Sequence, residues 1–309
     1  MSDLSSTIFF KIISVLLIVV VGFLAGRLKK VDRDGIASLI FYFVSPILFF
    51  SVPLNIQVTF SNISISILTF CIGSILCFSS YYFYKFYFPD RSKNIIAMSS
   101  GTGNMGYFII PIATAILDEY QLNIYMMAIM GTILYETSIG FFVCMKSDKT
   151  TLESIKRVIK LPTLNAFILG CLFSYSGLQL PVFLDDFINS MRASYSILGM
   201  VMIGLGISTV STFKIDMKFT GSIFLNKFFI YPLFINILIL IDIFILHFYN
   251  INYYKVLLLL SCAPVSGNTI IFASLVNFSP EKVATTVLLS CVFALVYIPT
   301  MIQLYFQIY

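Results

Sequence analysis

Long apolar segments, separated by short polar ones, occupy most of the chain. A helix that crosses a membrane needs roughly 20 mostly apolar residues. The segments are apolar throughout instead of alternating, and hydrocarbon offers no partner for unpaired backbone groups, so the pattern predicts helices and not spanning strands. We therefore expect an all-α membrane protein with ten transmembrane helices, over residues 7–26, 35–54, 63–84, 94–117, 124–145, 163–181, 189–211, 219–247, 254–276 and 281–306.

The basic residues indicate which loops share one side of the membrane. Most of the 19 Lys and Arg residues fall in loops that a ten-span topology places together: 27–33, 85–93, 146–160, 214–218 and the position of Lys282. Loops rich in Lys and Arg normally stay in the cytoplasm. We therefore expect an integral protein of the plasma (inner) membrane, with a cytoplasmic central loop and both termini outside.

Composition narrows the function classes. Of the 309 residues, 59% are hydrophobic and only 11% are charged, whereas soluble domains carry about 25% charged residues. This excludes a soluble globular protein, a disordered chain and a nucleic-acid binder. The chain has a single His and six dispersed Cys residues, and it carries no phosphate-binding loop of the ATPase type. We therefore expect no enzyme, no metal site and no cofactor.

The polar segment 146–162 divides the predicted spans five and five. An odd number of spans in each half means that two homologous halves would be inserted in opposite orientations, which is the inverted-repeat plan of many secondary transporters. We predict a first five-helix repeat over 1–145, a cytoplasmic connecting loop over 146–162 and a second five-helix repeat over 163–309.

Spans four and nine combine Gly, Pro and small polar residues near their middles, in the segments 99–111 and 261–273. Gly and Pro weaken a helix, and a matched pair of interrupted spans is the best sequence indication of a site at the membrane midplane. We predict that both helices are broken and cross there, with second half-helices beginning near Asn104 and Asn268. Their converging N-termini would favour an anion. The expected substrate-binding residues are Gly103, Asn104, Pro111, Pro264, Ser266, Gly267, Asn268 and Thr269.

At these positions the chain resembles the auxin efflux carrier family, the PIN-like transporters of plants with their bacterial malate-permease-like relatives. The similarity rests on residues 103–106 followed by 110–111, on Pro264 with Asn268, and on the Ser45-Pro46 pair. It implies a fold of two inverted five-helix repeats, crossed broken helices and an elevator-type movement of a transport domain against a scaffold. It also implies transport of small organic anions, such as malate or auxin-like monocarboxylates. The absence of a long cytoplasmic loop is typical of the bacterial members.

Three charged residues within the predicted spans are candidate coupling groups or charge partners, because charges inside a membrane are costly. Glu136, near the middle of span five, would either bind a proton or cation or serve as a structural partner. Lys227, in span eight, would either attract an anion or extend toward the cytoplasmic interface. Asp242, near the outer end of span eight, would either act functionally or reach water.

Other functions stay open at this point. A ten-span drug/metabolite exporter of a different inverted-repeat fold would have unbroken fourth and ninth helices. A sodium-coupled carrier of the bile-acid type follows the same general plan, and a ligand sensor would bind without transport. The sequence also leaves proton coupling, sodium coupling, uncoupled transport and homodimer formation undecided.

Overall fold

The computed structural model describes residues 2–29, 31–55, 59–145, 159–177, 180–208 and 215–308. These residues form helices and no strand, which confirms the all-α prediction. In chain order the helices are α1 (Ser2–Lys29), α2 (Asp34–Leu54), α3 (Phe60–Tyr84), α4 (Ser92–Ser100), α5 (Ile110–Ile116), α6 (Glu119–Cys144), α7 (Pro162–Tyr175), α8 (Asp185–Ser208), α9 (Met217–Leu246), α10 (Ile251–Ser261), α11 (Asn268–Leu275) and α12 (Pro280–Ile308).

Seven helices among the described residues are long and apolar enough to cross a membrane, namely α1, α2, α3, α6, α8, α9 and α12. Helix α7 is apolar but has only 14 residues. The segments predicted as spans four and nine are each divided into two short helices, α4 with α5 and α10 with α11. Neither segment therefore contains one helix long enough to cross a membrane. The ten-span count and the inverted repeat remain predictions.

Polar residues just before the first turn fix where α3 and α6 begin. The Asp118 side chain accepts a hydrogen bond from the Gln121 backbone N–H, and the Gln121 side-chain oxygen accepts one from the Asp118 backbone N–H, which forms a capping box at the start of α6. Thr59 caps α3 in the simpler one-sided way. Such caps satisfy N–H groups that a helix start otherwise leaves without partners.

Glycines allow close approach between helices at several contacts. A methyl group on Gly204 in α8 would lie 2.1 Å from the Val19 carbonyl oxygen in α1, and one on Gly131 in α6 would lie 1.9 Å from the Ser66 carbonyl oxygen in α3. Close backbone contact of this kind is a common basis of helix association in membranes. By these and further contacts, α1 packs along α8, α2 along α7, and α3 along α6 and α4.

One end of the helix bundle collects three loops that the basic residues assign to the same side. Arg91, before α4, donates to the Val276 carbonyl oxygen at 2.7 Å, and Lys282 pairs with Asp216 at 2.9 Å. The Phe219 backbone N–H and then the Lys282 ammonium lower the pKa of the Asp216 carboxyl. These contacts agree with the predicted alternation of loops.

The opposite end shows matching contacts. Gln121 donates to the Asn252 side chain at 2.9 Å, and the Ser64 and Tyr249 hydroxyls lie 2.7 Å apart. These contacts join the starts of α3, α6 and α10, which the sequence places outside. Residues 146–158 of the predicted connecting loop lie outside the described residues, so the division into halves at 1–145 and 163–309 stays a prediction.

Candidate functional site

The first interruption covers residues 101–109, which form turns and irregular backbone between α4 and α5. The Asn104 side-chain oxygen accepts a hydrogen bond from the Phe108 backbone N–H at 3.2 Å, which stabilises a turn in place of a helix. We expected the second half-helix to begin near Asn104, and this is wrong, since α5 begins only at Ile110. Pro111 fits the first turn of α5, where its missing N–H and fixed φ carry no penalty.

The second interruption covers residues 262–267, between α10 and α11. Helix α11 begins at Asn268, as expected, and Gly267 precedes it as the N-cap residue. The Asn268 backbone N–H donates to the Ser266 hydroxyl at 3.3 Å. The side chain of the residue before the cap thus satisfies one N–H at the helix start.

The two interruptions are in direct contact. The Asn104 backbone N–H donates to the Pro264 carbonyl oxygen at 2.7 Å. A methyl group on Gly103 would lie only 3.0 Å from the same oxygen. The absence of a side chain at Gly103 therefore permits the close approach of the two segments.

The Glu136 carboxylate joins both interruptions from α6. Its side chain is 7% exposed and accepts hydrogen bonds from Thr102 at 3.1 Å and from Ser266 at 3.4 Å. The Asn268 side chain also interacts with it. Glu136 begins a π-helical turn, an irregularity that is frequent at functional sites.

Lys227 approaches the first interruption from α9. Its side chain is fully buried, and its Nζ lies 4.1 Å from the centre of the Tyr231 ring. A methyl group on Gly103 would lie 2.6 Å from this nitrogen. Among the described residues Nζ has no hydrogen-bond partner. The alternative in which Lys227 extends to the interface is therefore wrong, because the neighbouring helices enclose it.

A cavity of about 370 Å³ leads to this region. Its lining is mostly apolar and aromatic, and its polar members include Ser45, Tyr107, Glu136, Thr163, Tyr195 and Asn268. A smaller space of about 40 Å³ shares four of these residues and adds Gly103, Asn104 and Ser266. The two spaces are thus adjacent, and the smaller one reaches the contact between the two interrupted helices.

The structure brings together part of the predicted site. Gly103, Asn104, Ser266 and Asn268 line the small space, and Pro264 contributes the carbonyl oxygen that joins the two segments. The other expected residues stand elsewhere: Pro111 lies in α5, Gly267 faces Ile203, and Thr269 is fully buried with a hydroxyl that has no partner among the described residues.

Asp242 stands apart from this group. Its carboxylate accepts hydrogen bonds from the Phe248 and Tyr249 backbone N–H groups and from the Tyr254 hydroxyl. It therefore holds the end of α9 and the turn that follows. This arrangement favours the structural interpretation of Asp242, as the group that fixes the turn after α9.

The cavity lining includes two aromatic residues that the sequence pattern does not predict as part of the site. Tyr107 lies in the first interruption and Tyr195 lies in α8, and their ring centres are 4.9 Å apart. The Ser196 hydroxyl donates to the Tyr107 carbonyl oxygen at 2.6 Å, which ties α8 to the interruption. Nothing in the local pattern distinguishes these tyrosines from the many other aromatic residues of the chain.

Comparison with protein families gives one match. Residues 7–154, just under half of the chain, match the family model described as membrane transport protein, a family that includes auxin efflux carriers. The match indicates a membrane transporter. Together with the apolar helices it also indicates an integral membrane protein. A transporter family is consistent with the expectation that the chain is not an enzyme. Comparison with curated proteins gives no match.

Proposed function

We propose that the chain is a secondary transporter, active or facilitative, for small organic anions, and that the contact between the two interrupted helices holds the substrate. The observation that carries the proposal is the backbone hydrogen bond from Asn104 to Pro264 at the inner end of a cavity. Irregular backbone at membrane depth is tolerated only where protein buries it or where it lines a cavity. Paired interruptions of this kind mark substrate sites in transporters.

Hydrogen-bond donors support an anionic substrate. Among the described residues, the Asn104 side-chain nitrogen has only a 4.0 Å contact with the Met200 sulfur, so it is able to donate to a ligand. The Asn268 amide lines both spaces and stands at the start of α11, where the helix dipole favours negative charge. A cavity of about 370 Å³ fits carboxylates such as malate or an auxin-like monocarboxylate.

The packing supports an elevator-type mechanism. We propose that α1, α2, α7 and α8 form the scaffold and that the remaining helices form the moving part. The cavity lies between these groups, because Thr163 and Tyr195 come from the first and Glu136 and Asn268 from the second. It extends to Ala37 near the predicted cytoplasmic loop. In this proposal the protein lies in the plasma (inner) membrane with both termini outside, and it faces the cytoplasm in this conformation.

The interruptions argue against one alternative. A ten-span drug/metabolite exporter of the other fold requires continuous helices where the chain has residues 101–109 and 262–267. A sodium-coupled carrier of the bile-acid type shares the present plan, and a sensor would bind ligand without moving it. Measured flux would exclude the sensor, and flux that sodium does not drive would exclude the sodium-coupled carrier.

Uptake into proteoliposomes tests the proposal. We expect saturable uptake of labelled malate or of indole-3-acetate, a hydrophobic monocarboxylate. Asn268→Ala should reduce it by about tenfold or more, since one lost hydrogen bond to a charged group is worth about 1.5–3 kcal/mol. Asn189→Ala, at an exposed position, is the matched control. Absence of saturable uptake of both anions, or full uptake by Asn268→Ala, would contradict the proposal.

A further inference from the structure

The charges around the cavity are opposite to those expected for an anion site. Among the described lining residues of both spaces, Glu136 is the only Asp, Glu, Lys, Arg or His. The other polar groups of the lining are neutral hydroxyls, phenols and the amides of Asn104 and Asn268. An ionised Glu136 would therefore repel the substrate that the interrupted helices otherwise favour.

Lys227 lies outside both spaces and forms no ion pair with Glu136. Thr102 faces Glu136, whereas the neighbouring Gly103 lies against Lys227. The lysine lines neither of the two spaces. In the part of the chain that the structure describes, no carboxylate lies within ion-pair distance of its ammonium. The Lys227 amine and the Glu136 carboxyl group thus contact adjacent residues, Gly103 and Thr102, without pairing with each other.

The repulsion is large enough to control binding. Two like charges about 4 Å apart, at an effective dielectric constant of about 20, lower an affinity by roughly a thousandfold. A neutral carboxyl removes this penalty and becomes a hydrogen-bond donor. We propose that the anion enters together with a proton that neutralises Glu136, so that Glu136 is the coupling proton site. This inference rests on the proposed anion transport.

The neighbours of Glu136 suit both forms of its carboxyl group. The hydroxyls of Thr102 and Ser266 donate to the ionised form, and each can also accept a hydrogen bond from the neutral form. The Asn268 amide has the same double capacity. A proton can therefore bind and leave without stranding a buried polar group.

Lys227 lies close by, against Gly103, and the other titratable groups near Glu136 are phenols. They are Tyr107 in the first interruption, Tyr195 in α8 and Tyr135, its neighbour in α6. Phenols keep their proton at neutral pH. Of the described groups that line the two spaces, Glu136 is therefore the one whose charge can change in the physiological range.

Uptake at several pH values tests the inference in proteoliposomes, with indole-3-acetate as the anion and protein-free vesicles as the blank. For the wild-type protein, KM should fall by up to about tenfold for each unit that the pH is lowered, and an inward proton gradient should drive accumulation. Glu136→Gln carries a permanently neutral amide. It should bind at all these pH values with a constant KM, exchange anion and lose gradient-driven accumulation. Glu136→Asp should keep the pH dependence, as should the exposed control Glu119→Gln.

Two results would overturn the inference while leaving anion transport intact. One is saturable wild-type uptake with a KM that does not change with pH. The other is Glu136→Gln protein that keeps the wild-type pH dependence and accumulation. Failure of the proposed function looks different, because the wild-type protein would then show no saturable uptake at all.

Infrared difference spectroscopy tests the proton site with no substrate present. The wild-type protein in lipid should gain a protonated-carboxyl band, absent from Glu136→Gln, as the pH falls from about 8 to about 5. The band should not be lost from the matched control Glu119→Gln. Absence of such a band throughout this range would overturn the inference whatever the uptake experiment gives.

Discussion

Replacing Lys227 by Met should make the protein more stable and less active. The Lys227 ammonium is fully buried and has no hydrogen-bond partner among the described residues. A lysine at the centre of a membrane helix costs about 2.5–3.5 kcal/mol. Its contact with the Tyr231 ring, at 4.1 Å, returns about 2 kcal/mol when water is excluded. Because Met fills a similar space with an adaptable apolar chain, we expect Lys227→Met to gain about 1 kcal/mol.

The functional loss has a separate reason. The lysine side chain lies against Gly103, next to the hydrogen bond between Asn104 and Pro264. Removing the positive charge changes the electrostatic potential at the contact where we place the substrate. We therefore expect lower anion affinity in the same variant that unfolds at higher denaturant concentration.

Reversible unfolding in mixed micelles of a mild detergent and sodium dodecyl sulfate measures the stability of the purified protein. The matched control is Lys218→Met, on the same helix. Lys218 lies 4.8 Å from the Phe88 ring centre but is exposed. Because exposed contacts contribute little, its replacement should change stability by no more than about 0.5 kcal/mol. A loss of more than about 1 kcal/mol in Lys227→Met would refute the reasoning, because it would show that the ammonium has a stabilising partner.

Further substitutions test other parts of the account. Asn104→Ala should leave the elution profile and membrane insertion intact but reduce uptake by about tenfold or more, since its amide is a proposed substrate ligand. Gly204→Ala should lower the yield of folded protein, because its methyl group would lie 2.1 Å from the Val19 carbonyl oxygen, whereas Gly221→Ala meets no atom within 4 Å and should be neutral or stabilising by about 0.5–1 kcal/mol. Asp242→Asn should cost about 1–3 kcal/mol in unfolding experiments, through the weakened turn after α9, without changing the pH dependence of uptake.

Local chemistry made parts of the site predictable. The segment around Asn268 has Pro264 and Gly267 before it, and a helix can begin there because Asn and Gly tolerate its first positions. Asn268 accordingly begins α11. The same reasoning failed at Asn104, because its side chain accepts a hydrogen bond from Phe108 and holds a turn instead.

Tertiary packing decided what the sequence left open. The sequence allows Glu136 to be either a coupling group or a structural partner, and only the fold brings Thr102 and Ser266 to its two carboxylate oxygens. Lys227 has a chain long enough to reach an interface, and only the neighbouring helices show that it is enclosed. Tyr195 is far from the interruptions in sequence, so no spacing rule could connect it with them.

Direct binding of a labelled anion tests the central claim, which is that the two interrupted helices together form the substrate site. The measurement compares wild-type protein with Asn104→Ala and Asn268→Ala at equilibrium in lipid nanodiscs, with malate and indole-3-acetate as the labelled anions. We predict saturable binding of at least one anion by the wild-type protein and a loss of about tenfold or more in each variant. Equal binding by the wild-type protein and either variant would contradict the claim.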